Sequence, residues 1–113
     1  MQNEIPLTQK IYDFYRALYL IIEKMPKKDK YSLGTKAERC TLDLLELVLE
    51  AGNVTSDDKK NLLNKASTKT DVLKLLIRLT YDLKAIDQKK YLKLEEQLQE
   101  VGRMIGGWIK SLK

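Results

Sequence analysis

The residues whose type or close spacing first suggests covalent or acid–base chemistry are one cysteine and two adjacent acidic pairs, and there is no histidine at all. Without histidine the chain lacks the commonest general base and metal ligand. Cys40 alone makes neither a zinc constellation nor a cysteine–histidine pair. Asp57-Asp58 and Glu95-Glu96 do not converge, because neighbours on a helix point about 100° apart. They read as a helix cap and a solvated face. No glycine-rich phosphate loop links a strand to a helix. The expectation is therefore a protein with no catalytic residue, no metal, no cofactor and no small-molecule substrate.

Binding chemistry is better represented. Lys74 and Arg78 stand four apart, and Arg103 and Lys110 seven apart, with Lys113 closing the chain. Residues 27–31 add Lys27, Lys28 and Lys30 against Asp29. Basic groups at these spacings can track phosphates, each contact releasing condensed counterions. Asp71 and Asp82 are also placed to pair locally with Lys74 and Arg78, as i,i+3 and i,i+4 neighbours on a helix do. Both readings stay open on spacing alone. Tyr12, Tyr15 and Tyr19 form an aromatic row beside Arg16. Tyrosine rings stack on unpaired bases, but an interface role, with the hydroxyl reaching water, is the preferred reading.

These residues need elements to hold them, and four stretches carry helical periodicity. Leu7, Ile11, Phe14, Leu18, Ile21 and Met25 recur in steps of four and three and draw one apolar stripe. Pro26 and the lysine-rich loop stop that helix. Leu33, Ala37, Cys40, Leu44, Val48 and Ala51 form the second stripe, ended at Gly52-Asn53. The third opens at Thr55, which has capping-box spacing to Asp58. It continues through Leu63, Ala66, Thr70, Leu73, Ile77 and Thr80, with a possible break at Ser67–Thr70. The fourth runs through Tyr91, Leu94, Leu98, Val101, Ile105, Trp108 and Leu112. Nothing alternates with period two. Residues 1–113 are thus expected to form one all-α domain, an antiparallel up-down-up-down four-helix bundle.

The net charge of +5 is moderate and uneven. Residues 32–53 carry two basic and four acidic groups, whereas residues 88–113 carry six basic and three acidic. No apolar run reaches the ~18 residues of a membrane span. Residues 1–26 lack a signal-peptide pattern, and a lone cysteine suits a reducing compartment. A cytoplasmic location with no membrane contact is expected.

More apolar residues are present than one core needs. Leu42, Leu45 and Leu49 lie opposite the second stripe, and the third helix is apolar over most of its circumference between Val72 and Leu79. Such faces need a second partner. Gly102, Gly106 and Gly107 add bare backbone within six residues, at a cost of about 0.8–1 kcal/mol each in a helix interior. Close approach of another helix at Gly102 and Gly106 would account for them. Together with Tyr12 and Tyr19, these residues predict a homo-oligomer.

The stretch Glu100-Val101-Gly102-Arg103-Met104-Ile105-Gly106-Gly107-Trp108-Ile109 resembles the C-terminal signature of the accessory variability determinant (Avd) family. Members of that family accompany the reverse transcriptase of diversity-generating retroelements. Met25-Pro26-Lys27, Tyr31-Ser32-Leu33-Gly34 and Leu73-Lys74-Leu75-Leu76-Ile77-Arg78-Leu79 fit the same pattern, and the similarity spans essentially the whole chain. The resemblance implies a non-catalytic four-helix bundle assembled as a basic homopentamer. It also implies binding to the reverse transcriptase and template RNA during the cDNA synthesis that feeds mutagenic retrohoming. It places partner binding at Lys74 and Arg78 and the glycine–arginine signature at Gly102, Arg103 and Gly106. A related group, encoded in intervening sequences of bacterial 23S rRNA genes, shares the architecture, but its Ser-Ile-Pro-Ser-Asn-Ile-Ala-Glu-Gly-like motif is absent here. The competing expectation is a structural homo-oligomeric adaptor without nucleic-acid contact.

Overall fold

The computed structural model describes residues 4–112, so Lys113 lies outside the described part of the chain. Four long helices carry the fold: α1 (Glu4–Glu23), α2 (Thr35–Ala51), α3 (Ser56–Asp82) and α4 (Gln88–Ser111). No strand occurs among the described residues. Helices consecutive in sequence pack against one another, and α1 closes the ring against α4. The result is an up-down-up-down four-helix bundle about 44 × 21 × 19 Å.

The core follows the three-four spacing of the apolar residues. Leu7, Ile11, Phe14 and Leu18 of α1 are buried with Ala37, Cys40, Leu44 and Val48 of α2. Leu94, Leu98, Val101, Ile105 and Trp108 supply the α4 side. Every residue of the expected α3 stripe is buried, including Thr70 and Thr80. Their hydroxyls donate to the carbonyls of Ala66 (2.9 Å) and Leu76 (2.7 Å) one turn back, which satisfies each polar group locally. Thr68 bonds Asn64 in the same way (3.2 Å), and α3 runs unbroken through Ser67–Thr70, where the sequence left its continuity open.

Several expectations need correcting. The segment after Pro26 is helical, not a loop: Lys27–Asp29 form a helical turn and Lys30–Gly34 a π-helical turn that runs directly into α2. Pro26 stops α1 and starts the next helix together. Its φ of −53° suits a helix entrance, and its carbonyl accepts from Asp29 (3.0 Å) and Lys30 (2.8 Å). In the π turn, Gly34 is buried in the place assigned to Leu33, which is only half-buried. A Cβ on Gly34 would lie 2.9 Å from Cγ2 of Ile22, so the missing side chain lets this turn close on α1. Ile22 accordingly replaces Ile21 in the α1 core. Thr55 occupies the N-cap of α3 but its side chain makes no capping hydrogen bond. That role is filled at α4 instead, where the Asp87 carboxylate accepts from the Lys90 amide (2.9 Å).

Candidate partner and nucleic-acid interface

The α1–α2 and α3–α4 connections lie at the same end of an up-down-up-down bundle, and the charge follows from that. Residues 23–30 and 82–90 together contain seven lysines against four acids, a net +3 of the chain's +5. Lys27 and Lys28 are exposed there, and Lys30 is half-buried with its ammonium 5.8 Å from the Tyr31 ring centre. The α3–α4 turn adds Lys84. Its φ of 65° is left-handed, and the amides of Lys84 and Ala85 bond the carbonyls of Tyr81 (2.9 Å) and Thr80 (3.0 Å). This is a Schellman close, which glycine usually occupies.

Lys74 and Arg78 sit on the flank of α3 that faces α4, about two turns and one turn before this end. They differ in partnership. Arg78 donates to Asp82 at 3.1 Å, both side chains being well exposed. The bond to the Asp82 carboxylate, with Asp82 and Tyr91 close by, holds its guanidinium above the ordinary arginine range. Lys74 forms no ion pair with Asp71 among the described residues. Its ammonium instead lies 3.4 Å from where a Cβ on Gly102 would stand. Of the two local pairs open from the sequence, one forms and one does not.

Arg103 and Lys110 do not join this group. Arg103 is locked in a two-pronged pair with Glu100 (3.0 and 2.5 Å). That hydrogen bond, opposed by slight desolvation, draws the Glu100 carboxyl below its usual range. Arg103 borders the α1–α4 groove with Lys10, Asp13 and Glu96. Lys110 is exposed near the opposite end of α4, about 30 Å of helix from Lys90 at 1.5 Å per residue.

The surfaces expected to bury between subunits divide likewise. Tyr12 and Tyr19 are each 53% exposed, Leu42 45% and Leu49 39%. Helical phase puts them on the adjoining flanks of α1 and α2, which run antiparallel. Leu45 is different: it turns inward and packs against the core, being nearer the buried stripe in phase than Leu42. Gly102 faces Thr70 and Lys74 of its own chain, whereas a Cβ on Gly106 would meet nothing within 4 Å. Of these two glycines Gly106 is the open one, and Gly107 beside it likewise meets nothing within 4 Å. A further apolar ladder, Val72, Leu75, Leu79 and Leu83, is exposed along the outside of α3. The near-continuous apolar run of that helix signalled it, but spacing alone did not say which members stayed outside. Sequence reasoning also missed Tyr31, 67% exposed, because its helical environment was not foreseen.

Across residues 6–112 the chain matches the bAvd-like family. It belongs to that family. Among solved structures, a protein of unknown function from the S23 ribosomal protein family of Bacteroides thetaiotaomicron superposes with a TM-score of 0.86. The superposition covers 96% of this chain and 99% of that one at 16% identity, a likeness of fold alone. No curated protein is significantly similar to the chain in sequence. No described helix of this bAvd-like chain is long and apolar enough to cross a membrane.

Proposed function

We propose that this bAvd-like protein is the non-catalytic accessory subunit of a diversity-generating retroelement, binding the reverse transcriptase and its template RNA as a homo-oligomer. The observation that supports this best, beside family membership, is the meeting of two separate basic motifs. Lys27, Lys28 and Lys30 share one end of the bundle with Lys84, Lys89 and Lys90, and Lys74 and Arg78 lead toward that end along α3. A partner carrying phosphates or acidic side chains is attracted to such a cluster. Two apolar patches on different sides, the α1–α2 flank and the α3 ladder, suit a head-to-tail contact, the kind that forms a ring when the rotation between copies closes. The family resemblance specifies five subunits.

The test is co-purification with the reverse transcriptase and template RNA. Because Arg78 already holds Asp82 and Lys74 is free of Asp71, Lys74→Glu should weaken association more than Arg78→Glu. Neither should disturb the fold, since exposed pairs contribute only ~0–1 kcal/mol. RNA affinity should fall with salt at a log–log slope of about −0.7 per phosphate contacted. Wild-type association in the double variant Lys74→Glu with Arg78→Glu would remove this surface from the account. Salt-independent RNA binding would contradict the electrostatic mode, and no RNA binding at all would favour a purely structural adaptor.

A further inference from the structure

The π turn at the basic end opens a recess whose chemistry goes beyond charge. The recess has a volume of about 220 Å³, below the ~300–1,000 Å³ of pockets that take drug-sized molecules. One wall comes from α1 with Tyr19 and Glu23, the other from the π turn and the start of α2 with Tyr31, Lys30 and Glu38, and Ile22 lies between them. Both tyrosines are more than half exposed. Glu23 and Glu38 make no ion pair among the described residues, and Lys30 holds its ammonium 5.8 Å from the Tyr31 ring centre instead, so the two carboxylates are uncommitted. Burial, and then the charge of Glu38, raises the pKa of Tyr15, which places that carboxylate beside the tyrosine row.

We infer that this recess takes one unstacked guanine base of single-stranded RNA. The inference rests on the RNA-binding reading above and names a site for it. Aromatic rings stand ready as stacking surfaces, and base–aromatic stacking contributes about 1–3 kcal/mol per base. The two carboxylates select among bases. They accept hydrogen bonds and cannot donate, so they favour an edge of donors. Guanine presents N1–H and its amino group side by side, matching the two oxygens of one carboxylate. Adenine and cytosine offer a single amino group, and uracil one ring N–H between two carbonyls. Carboxylates repel phosphate, so the backbone must stay outside the recess, where exposed Lys27 and Lys28 can meet it. The π geometry supplies the site: widened turns of this kind re-aim side chains and gather at functional positions. Here the turn is held by Gly34 against Ile22 and by the Thr35 hydroxyl, which donates to the Lys30 carbonyl (3.3 Å).

The experiment compares short labelled oligouridylates carrying one central guanosine, adenosine or abasic position, by fluorescence anisotropy on the whole protein. Wild type should bind the guanosine strand most tightly. Tyr31→Ala should lose about 5- to 150-fold, the range that one stacked base spans, while Tyr31→Phe keeps the wild-type affinity. Glu38→Gln should bring guanosine binding down toward the adenosine level while leaving the adenosine and abasic strands bound as in wild type, a change in selectivity that a merely structural role would not produce. Circular dichroism confirms the fold of each variant. Salt-sensitive RNA binding that ignores both the central base and Tyr31→Ala would overturn this inference alone. A wild-type protein that binds no RNA would overturn the RNA-binding reading and this inference together.

Discussion

Gly106 offers the sharpest separation of protomer stability from assembly. It lies within α4, and a Cβ added there meets nothing within 4 Å. Inside a single chain, glycine is therefore a pure helix-propensity loss of about 0.8–1 kcal/mol relative to alanine. Gly106→Ala should raise the melting temperature by about 3–6 °C if the protomer alone decides, from the 4–8 °C per kcal/mol of 60–100-residue domains and the smaller values of larger ones. Gly106→Leu is equally free of clashes at its Cβ within the chain but adds bulk outward. If a neighbouring subunit packs on the bare backbone, that variant should lose oligomer mass while keeping its helical circular dichroism. Gly102→Ala is the control. Its Cβ would lie 3.4 Å from the Lys74 ammonium, a flexible end that can swing aside. Size exclusion with light scattering and thermal unfolding read both quantities. Oligomer mass unchanged in a stabilised Gly106→Leu variant would refute the contact, and a Gly106→Ala variant destabilised with its oligomer mass unchanged would refute the premise that the position is open within the chain.

Two other outcomes are expected. Lys84→Gly should stabilise the fold by about 1 kcal/mol, because a left-handed backbone costs an L-residue roughly that much; a denaturation midpoint that stays or falls would contradict it. Cys40 should alkylate far more slowly in the native protein than in denaturant, since it is 3% exposed and burial, only partly countered by Lys69 and Lys36, raises its thiol pKa. With the folded pKa raised, the thiol's contribution to stability is intact below its unfolded value and is lost as pH rises toward the folded one. A stability curve from neutral to alkaline pH, flat beyond what a Cys40→Ala control shows, or native alkylation at the unfolded rate, would refute this.

Periodicity made the core legible where side chains face a single partner layer. The α3 stripe through Thr70 and Thr80 was readable because a threonine that bonds its own preceding turn behaves as an apolar residue in packing. Burial of Ala66, Thr70 and Leu73 keeps the helix continuous through Ser67–Thr70, because tertiary packing outweighs poor intrinsic propensity. Lys27–Gly34 was illegible because polar helical turns carry no stripe, and because Pro26, a stop signal for α1, serves equally as the entrance to the next helical turn. The site was legible residue by residue but not as a site. Lys27, Lys28 and Lys30 stand 54 to 62 residues from Lys84 and Lys89 in the chain, and only helix lengths and direction bring them together. Arg103 and Lys110 fit the same basic pattern by type. Pairing with Glu100 and the length of α4 set them apart, and spacing encodes neither directly.

The placement of charge bears on why such a protein would assemble. A net +3 concentrated at one end of a 44 Å rod meets only a few phosphates in a single chain. At about −0.7 in slope per phosphate contacted, that is weak and salt-sensitive attachment. Within the Debye length, about 8 Å at physiological ionic strength, charges on one end of the rod reinforce one another, whereas Lys110 about 30 Å along α4 does not. On the proposed reading, side-by-side association through the lateral apolar patches brings several basic ends into one plane. A head-to-tail ring does this by rotation alone, since every copy then points the same way. An antiparallel pair would send the two basic ends to opposite sides and gain nothing for a shared strand of RNA. On that reading the exposed leucines of α3 and the lysines of the two connections serve a single arrangement: apolar sides that would join the copies, and a basic end that the joined copies would present together.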